Sequence, residues 1–435
     1  MALPNIIDGR HELVRLAKVM DWSSLNSALG EYYAEAACGQ PPLPTRLMAG
    51  LHYIKHARGL SDEAVVAVYL ESPYVQHFCG EPYFQHKFPC HPSSLSRWRS
   101  RVGEAGMEVL LQATIEAAKR LKAVKTSSFE RVILDTTVME KAVAYPTDSR
   151  LLEKARERLV AEAERAGIEL RQTYNRLGPR LACQVGRYAH AKQYRRMRRG
   201  IKQQRTWVGR IMRDIERKHT ETPLAGLQTL LERVRRLLMQ RPKDKNKLYA
   251  LHAPEVECIS KGKARTPYEF GVKVGVAVTA REGWVVGCRS LPGNPYDGHT
   301  ISTVIEQAEI LTDHTIWHAW ADKGYRGNTD VPAHVTMHRP GRRKQSRAAR
   351  RAMNRRSMIE AVIGHMKNDG RHLARNWLKG AMGDAINAVL VGVGQNIRLL
   401  LAFLRAFYAW LISALRESIR ISLPLIGPVM GESST

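Results

Sequence analysis

One stretch constrains this chain more than any other: the β-branched run Arg131-Val132-Ile133-Leu134-Asp135-Thr136-Thr137-Val138. Apolar and β-branched residues in near-unbroken succession describe a buried strand. Asp135 stands in its middle, and an acid there is costly unless it is paired or metal-bound. Strand character then vanishes until Tyr268. The residues between read as long helices. Leu152, Ala155, Leu159 and Ala163 form one apolar stripe, and Leu227, Leu230, Val234 and Leu237 form another. A helical block therefore interrupts the strand series after its first member.

Downstream the strands resume. Phe270 to Thr279 alternates Gly and Val around Lys273, and Gly283 to Cys288 follows as a second strand. Asn294 to Gly298 is a loop and Thr300 to Leu311 a helix. Ile316 to Ala321 is a strand that ends at Asp322, and Lys323 to Gly327 turns away from it. A short strand is expected near Val335–His338 and a helix over Ala352 to Asn368. With the insertion set aside, three strands are followed by alternating helix and strand. That is the order of a ribonuclease-H-like fold, a mixed α/β sheet flanked by helices.

Residues 1–125 read as an all-α N-terminal domain. Pro42, Pro44 and Thr45 introduce the stretch Leu47 to His56, which stops at Gly59. Ser61-Asp62-Glu63 starts the next helix, with Ala64, Val65, Val68 and Leu70 on its apolar face. The loop Pro89 to Ser94 leads into a short basic helix, Leu95 to Arg101, ending near Gly103. A basic helix after a tight turn suits a helix-turn-helix recognition element. Ser96, Arg97 and Arg99 would then approach DNA while Trp98 packs inward.

The charge balance points the same way. Among 435 residues, 68 Lys and Arg face 41 Asp and Glu, a net charge of +27. Such a surplus predicts a polyanionic partner. The 44% hydrophobic and 25% charged fractions exclude wholesale disorder and a membrane-embedded chain. Residues 171–218 carry a net +13 and residues 339–356 a net +9, mostly as arginine. Arginine binds phosphate oxygens in pairs, so these segments fit the DNA backbone without reading sequence. Arg195, Arg196, Arg198 and Arg199 are the foremost candidates. Near the C-terminus, Arg398, Arg405 and Arg416 break the apolar region. The uncharged run Ala406–Leu415 is too short to span a bilayer, which takes about 20 residues. No membrane partner is expected. The N-terminus lacks the basic head and apolar stretch of a secretory signal. The six cysteines have no CxxC spacing, which fits a reduced cytoplasmic protein. Cys79, His86, Cys90 and His91 match no common zinc spacing.

Three acids stand at the functional ends of this framework: Asp135 in the first strand, Asp322 after the fourth, and Glu360 within the last helix. Three converging carboxylates suit hard divalent cations such as Mg²⁺. Two such ions activate an attacking oxygen and stabilise the leaving one in phosphoryl transfer. Arg356, Glu360 and Lys367, at i−4, i and i+7, fall on one helix face. Glu140, Asp148 and Asp297 end no strand and mark no stripe, so they are set aside. Asp369 reads as a helix-end residue and His299 as a helix-start residue.

These motifs resemble those of the DDE transposases of bacterial insertion sequences, within the broad group named after insertion sequences four and five. Phe88-Pro89-Cys90-His91-Pro92-Ser93-Ser94-Leu95-Ser96-Arg97-Trp98 resembles that group's helical N-terminal domain. Leu134-Asp135-Thr136-Thr137-Val138 is similar to its first acidic motif and Ala321-Asp322-Lys323-Gly324-Tyr325 to its second. Ile359-Glu360-Ala361-Val362-Ile363-Gly364-His365-Met366-Lys367 is similar to its third, and Leu378 to Asp384 continues it. Met353 stands where the group often has Tyr.

The resemblance implies metal-dependent cleavage and strand transfer of DNA at the terminal inverted repeats of a mobile element. Asp135, Asp322 and Glu360 would be catalytic metal ligands for Mg²⁺, with Mn²⁺ as a substitute, and Arg356 and Lys367 would touch DNA. The implied partner is double-stranded DNA, bound by a homodimer in a synaptic complex at the nucleoid. The expected divisions are 1–125 for the DNA-binding domain, 126–145 with 262–400 for the catalytic domain, 146–261 for the basic insertion and 401–435 for a helical tail. A metal-dependent nuclease without strand transfer and a domesticated DNA-binding repressor are the alternatives.

Overall fold

The computed structural model describes residues 1–33, 42–218, 225–260, 262, 266–325, 327, 330–340 and 353–422, with side chains of the last helix as far as 409. The arginine-rich stretch 341–352 and the end of the expected tail, 423–435, lie outside the described residues.

The early strand forms as β1, Arg131–Glu140. It pairs antiparallel with β3, Tyr268–Thr279, from Val132 opposite Thr279 to Glu140 opposite Gly271. Across its other edge it runs parallel to β5, His318–Trp320, which in turn runs parallel to β6, Thr336–His338. The far edge of β3 is shared. β4, Val285–Leu291, takes Lys273 to Val278, and β2, Glu257–Ser260, takes Tyr268 to Gly271. A mixed sheet results, with β1 near its centre. β2 is an addition to the sequence expectation: its four residues, two of them polar, carry no periodic signal.

Alternation sorts the strand residues into two cores. On one face, Leu134, Ala277 and Ala319 join α11 (Ile301–Thr312) and the N-terminal helices in a single cluster. On the other face, Ile133, Val274, Val276 and Trp320 pack against Ile359, Val362 and Met366 of α12, Met358–Asn368.

The N-terminal helices are α1 (Glu12–Val19), α2 (Trp22–Gly30), α3 (Thr45–Arg58), α4 (Asp62–Glu71), α5 (Pro73–Phe78) and α6 (Ser93–Arg120). The expected punctuation is present. Gly59 ends α3 in the left-handed region at φ 64°, and the Ser61 hydroxyl accepts the Ala64 amide at 3.0 Å to cap α4. The basic helix is interrupted at Gly103, as the sequence leads one to expect. That residue breaks the regular backbone at φ 68°, ψ −165°, and the chain resumes as helix to Arg120.

These helices share their apolar cluster with the sheet and with α13, Gly380–Ser422. The boundary expected at 400 falls inside α13, which packs against α6, α3, α1 and β4. By length and composition Gly380–Ala409 could cross a membrane, yet most of it is buried inside this fold.

The insertion forms a bundle with its own core, made of α7 (Asp148–Arg165), α8 (Leu177–His190), α9 (Tyr194–Lys218) and α10 (Ala225–Met239). Leu152, Ala155, Leu159 and Ala163 are buried as their spacing predicts, and they meet Ile211 and Ile215 of α9. The base of the insertion is anchored by charge. Lys141, just past β1, donates to Asp384 at 2.7 Å and ion-pairs with Glu255 at 2.8 Å, while Asn376 donates to Asp384 at 2.6 Å.

Candidate active site and nucleic-acid surface

The last parallel pair between β1 and β5 is Ile133 opposite Trp320. Two residues further along each strand direction stand Asp135 and Asp322, so parallel pairing brings them to the same edge. Asp135 accepts the Thr136 amide at 2.8 Å, and Asp322 accepts the Gly324 amide at 2.7 Å across a tight turn. Both carboxylates act on the hydroxyl of buried Tyr325. Burial and then the charges of Asp135, Asp297 and Asp322 hold that phenol protonated, well above its ordinary value.

Asp297, which sequence spacing set aside, is thus part of this neighbourhood. It accepts the Thr136 hydroxyl at 2.9 Å and the Lys273 ammonium at 2.9 Å. Its only sequence signal is Lys273, a charge in the middle of a Gly- and Val-rich strand, which demands a buried partner.

Glu360 is placed differently. Its side chain is 63% exposed and sits 3.6 Å from Arg356. Its helix nevertheless lies on the face to which Ile133 points, and Asp135, two residues on, shares that face. Among the described residues, no three acid, histidine or cysteine side chains converge on one point to hold a metal. Asp135 and Asp322 are hard oxygen donors on one sheet edge, which is the donor chemistry Mg²⁺ requires. Arg356 precedes α12 in a turn, and Lys367 lies in its last turn, half-buried.

Arg97 and Arg99 separate. Arg97 is exposed on α6 and reaches the Ser93 hydroxyl at 3.2 Å. Arg99, expected to face DNA, is drawn inward and only 3% exposed. Its guanidinium makes a two-bonded pair with Asp62, at 2.8 and 2.6 Å, and donates to His52 Nε2 at 3.2 Å. Burial lowers the His52 imidazole to about 3, so it is neutral and its Nδ1–H donates to the Met48 carbonyl at 2.7 Å. Lys55 adds a third contact to Asp62 at 2.6 Å. The reason for the inward turn is spacing. Leu95, Trp98, Arg99 and Val102 occupy i, i+3, i+4 and i+7, the buried stripe of α6. Trp98 is buried as expected and donates its indole N–H to Tyr33 at 2.6 Å.

The insertion presents the basic surface. Arg195, Arg196, Arg198 and Arg199 are all exposed at the start of α9. Arg196 lies 5.9 Å from the Tyr188 ring of α8. Further along, Arg171, Arg210, Arg213 and Arg217 line a concavity of 560 Å³ beside Tyr174. The Cys79, His86, Cys90 and His91 group forms no metal cluster among the described residues, and Cys79 is fully buried with its thiol pushed up by burial.

Comparison with known proteins adds two findings. A transposase domain model, DUF772, matches residues 2–101. ORF8 of the nfe locus of Rhizobium meliloti, an uncharacterised protein, is 50% identical over 192 residues, covering 44% of this chain and 92% of that protein. No solved structure matches.

Proposed function

Since the chain belongs to a transposase family, we propose that it cleaves DNA at the terminal repeats of a mobile element and joins the freed ends to target DNA. The supporting observation is the parallel register of β1 and β5, which carries Asp135 and Asp322 to one sheet edge beside Tyr325. The strand order also supports a ribonuclease-H-like catalytic domain: β3 lies antiparallel beside β1 and β4 antiparallel beside β3, while β5 and β6 follow in parallel on the other side of β1.

In this reading Asp135, Asp322 and Glu360 hold Mg²⁺. When bound, the metal lowers the pKa of an attacking water or 3′-hydroxyl and stabilises the leaving oxygen. Glu360 is exposed, so turning from Arg356 toward the sheet edge costs little. Arg356 and Lys367 then hold phosphates next to the reacting one. The exposed arginines of α9 clamp the duplex backbone, and Arg97 meets DNA from α6. A pair of protomers brings the two ends together at the nucleoid.

The deciding assay uses the purified full chain, Mg²⁺ and duplexes taken from the DNA flanking the gene. Joined products support transposition. Cleavage without joining supports the nuclease reading, and binding without cleavage supports the repressor.

A further inference from the structure

We infer that Asp297, together with Lys273, is a positioning device for the acidic edge: it sets Asp135 and Asp322 and is not itself a metal ligand. This rests on the reading of Asp135 and Asp322 as metal ligands.

The loop before α11 touches both acids' supports at once. On the β1 side, Asp297 Oδ1 accepts the Thr136 hydroxyl at 2.9 Å, while the Thr136 amide donates to Asp135 at 2.8 Å. Thr136 is therefore gripped by one carboxylate through its side chain and by the other through its backbone. On the β5 side, the Tyr296 hydroxyl donates to the Gly324 carbonyl at 2.5 Å, and the Gly324 amide donates to Asp322 at 2.7 Å. The turn is tight. A Cβ at Gly324 would stand 2.9 Å from Asp322 Oδ1 and 3.7 Å from Asp297 Oδ2.

Lys273 holds the loop in place. Its ammonium donates to the Pro295 carbonyl at 2.6 Å and to Asp297 at 2.9 Å. It projects from β3, at the register position opposite Val138 of β1, and is 7% exposed. A lysine buried mid-strand is costly on its own, and here its charge balances that of Asp297. That balance is why Asp297 supports the site and leaves metal binding to Asp135 and Asp322. Partners of this outer kind fix the direction of the ligating carboxylates, and their loss typically costs 10–100-fold in metal affinity.

The test uses the full chain with Mn²⁺ alone as the probe, binding followed by the electron paramagnetic resonance of the free ion, and thermal unfolding measured in parallel. Asp135→Asn and Asp322→Asn establish the parent site and should each weaken Mn²⁺ binding strongly. Asp297→Asn strands the Lys273 charge and should lower stability as well as affinity. Asp297→Asn combined with Lys273→Met removes that charge. It should regain most of the stability while still binding Mn²⁺ roughly tenfold more weakly than wild type. Thr136→Val keeps the ion pair intact and should also weaken Mn²⁺ binding, whereas Thr136→Ser should bind as wild type does. Wild-type affinity in both Thr136→Val and the double variant, with Asp135→Asn and Asp322→Asn defective, overturns the positioning role and leaves the metal site standing. Wild-type affinity in Asp135→Asn and Asp322→Asn overturns the metal site and this inference with it. Should the double variant fail to fold, Thr136→Val decides alone.

Discussion

Truncating Asp62 should unfold the N-terminal half more readily than truncating Arg99, and neither change should act through DNA. Asp62 is the single carboxylate between two buried cations. Arg99 meets both its oxygens, Lys55 meets one, and the side chains of Arg99 and Lys55 are 4% and 7% exposed. Removing one member of a buried pair costs about 3–5 kcal/mol, because a charge is left without compensation. Arg99→Ala leaves Asp62 still paired with Lys55, so its cost belongs at about 3 kcal/mol. Asp62→Ala leaves two buried cations unpaired and belongs at about 5 kcal/mol or above. Urea unfolding followed by tryptophan emission reads this directly, since the Trp98 ring centroid lies 4.8 Å from that of His52, the other partner of Arg99. The pH dependence has a definite sign. Burial works to raise the Asp62 pKa, but the Arg99 bonds and the Lys55 and Arg99 charges outweigh it, leaving it below the ordinary 3.8. A depressed carboxylate adds stability above its unfolded pKa and loses it as pH falls through the folded one. The Asp62→Ala deficit should therefore be full above about pH 4 and shrink in stronger acid. If Arg99→Ala unfolded like wild type yet lost preference for terminal-repeat DNA, the buried-pair argument would be refuted and the recognition role restored.

Four further outcomes are expected. Asp135→Ala, Asp322→Ala and Glu360→Ala should each abolish DNA cleavage while duplex binding in gel shifts persists; a variant that keeps substantial cleavage removes its residue from the set. Neutralising Arg195, Arg196, Arg198 and Arg199 together should weaken binding to all duplexes alike and flatten the salt dependence by about 0.9 for each DNA phosphate no longer neutralised; an unchanged slope contradicts this. Trp98→Ala should cost about 3–5 kcal/mol in unfolding experiments, whereas Arg97→Ala should leave stability within about 0.5 kcal/mol and lower the preference for terminal repeats in competition binding. At Gly394 an added Cβ would fall too close to the His56 carbonyl. Gly394→Ala should thus force α13 away from α3 and lower stability by about 1–3 kcal/mol, and a melting temperature equal to wild type would contradict that packing.

Much of the sheet was legible because its strands are continuous and its helices periodic. β1, β3, β4, β5 and β6 all form within a few residues of where the Val, Ile and Thr runs place them. β2 was not, since four residues on an edge give alternation nothing to repeat. The same contrast separates the acids. Asp135 stands in the middle of β1 and Asp322 just past the end of β5, and both can be found by order alone. Asp297 lies in a short helical turn and is held beside them by the Thr136 hydroxyl and Lys273, contacts that depend on β3 lying beside β1. Arg99 was misplaced by its type. Its position in the Leu95, Trp98, Val102 stripe already marked it as buried, and a charge in such a stripe calls for a search for its counterion, here Asp62.

The length of α13 has a consequence for how the molecule is made. Its residues Ile386, Val389, Leu390, Val393 and Ile397 belong to the same apolar cluster as Leu16, Leu51 and Leu110 near the start of the chain. During synthesis the early helices emerge long before the helix that covers them, and must wait with that surface uncovered. Contacts so distant in sequence slow folding and favour aggregation of the waiting segment. The matched transposase segment, 2–101, is thus a unit of sequence and not of folding. A chain cut short before Gly380 would lack the partner of its own first hundred residues, so experiments on the N-terminal helices need the far end of the polypeptide supplied with them.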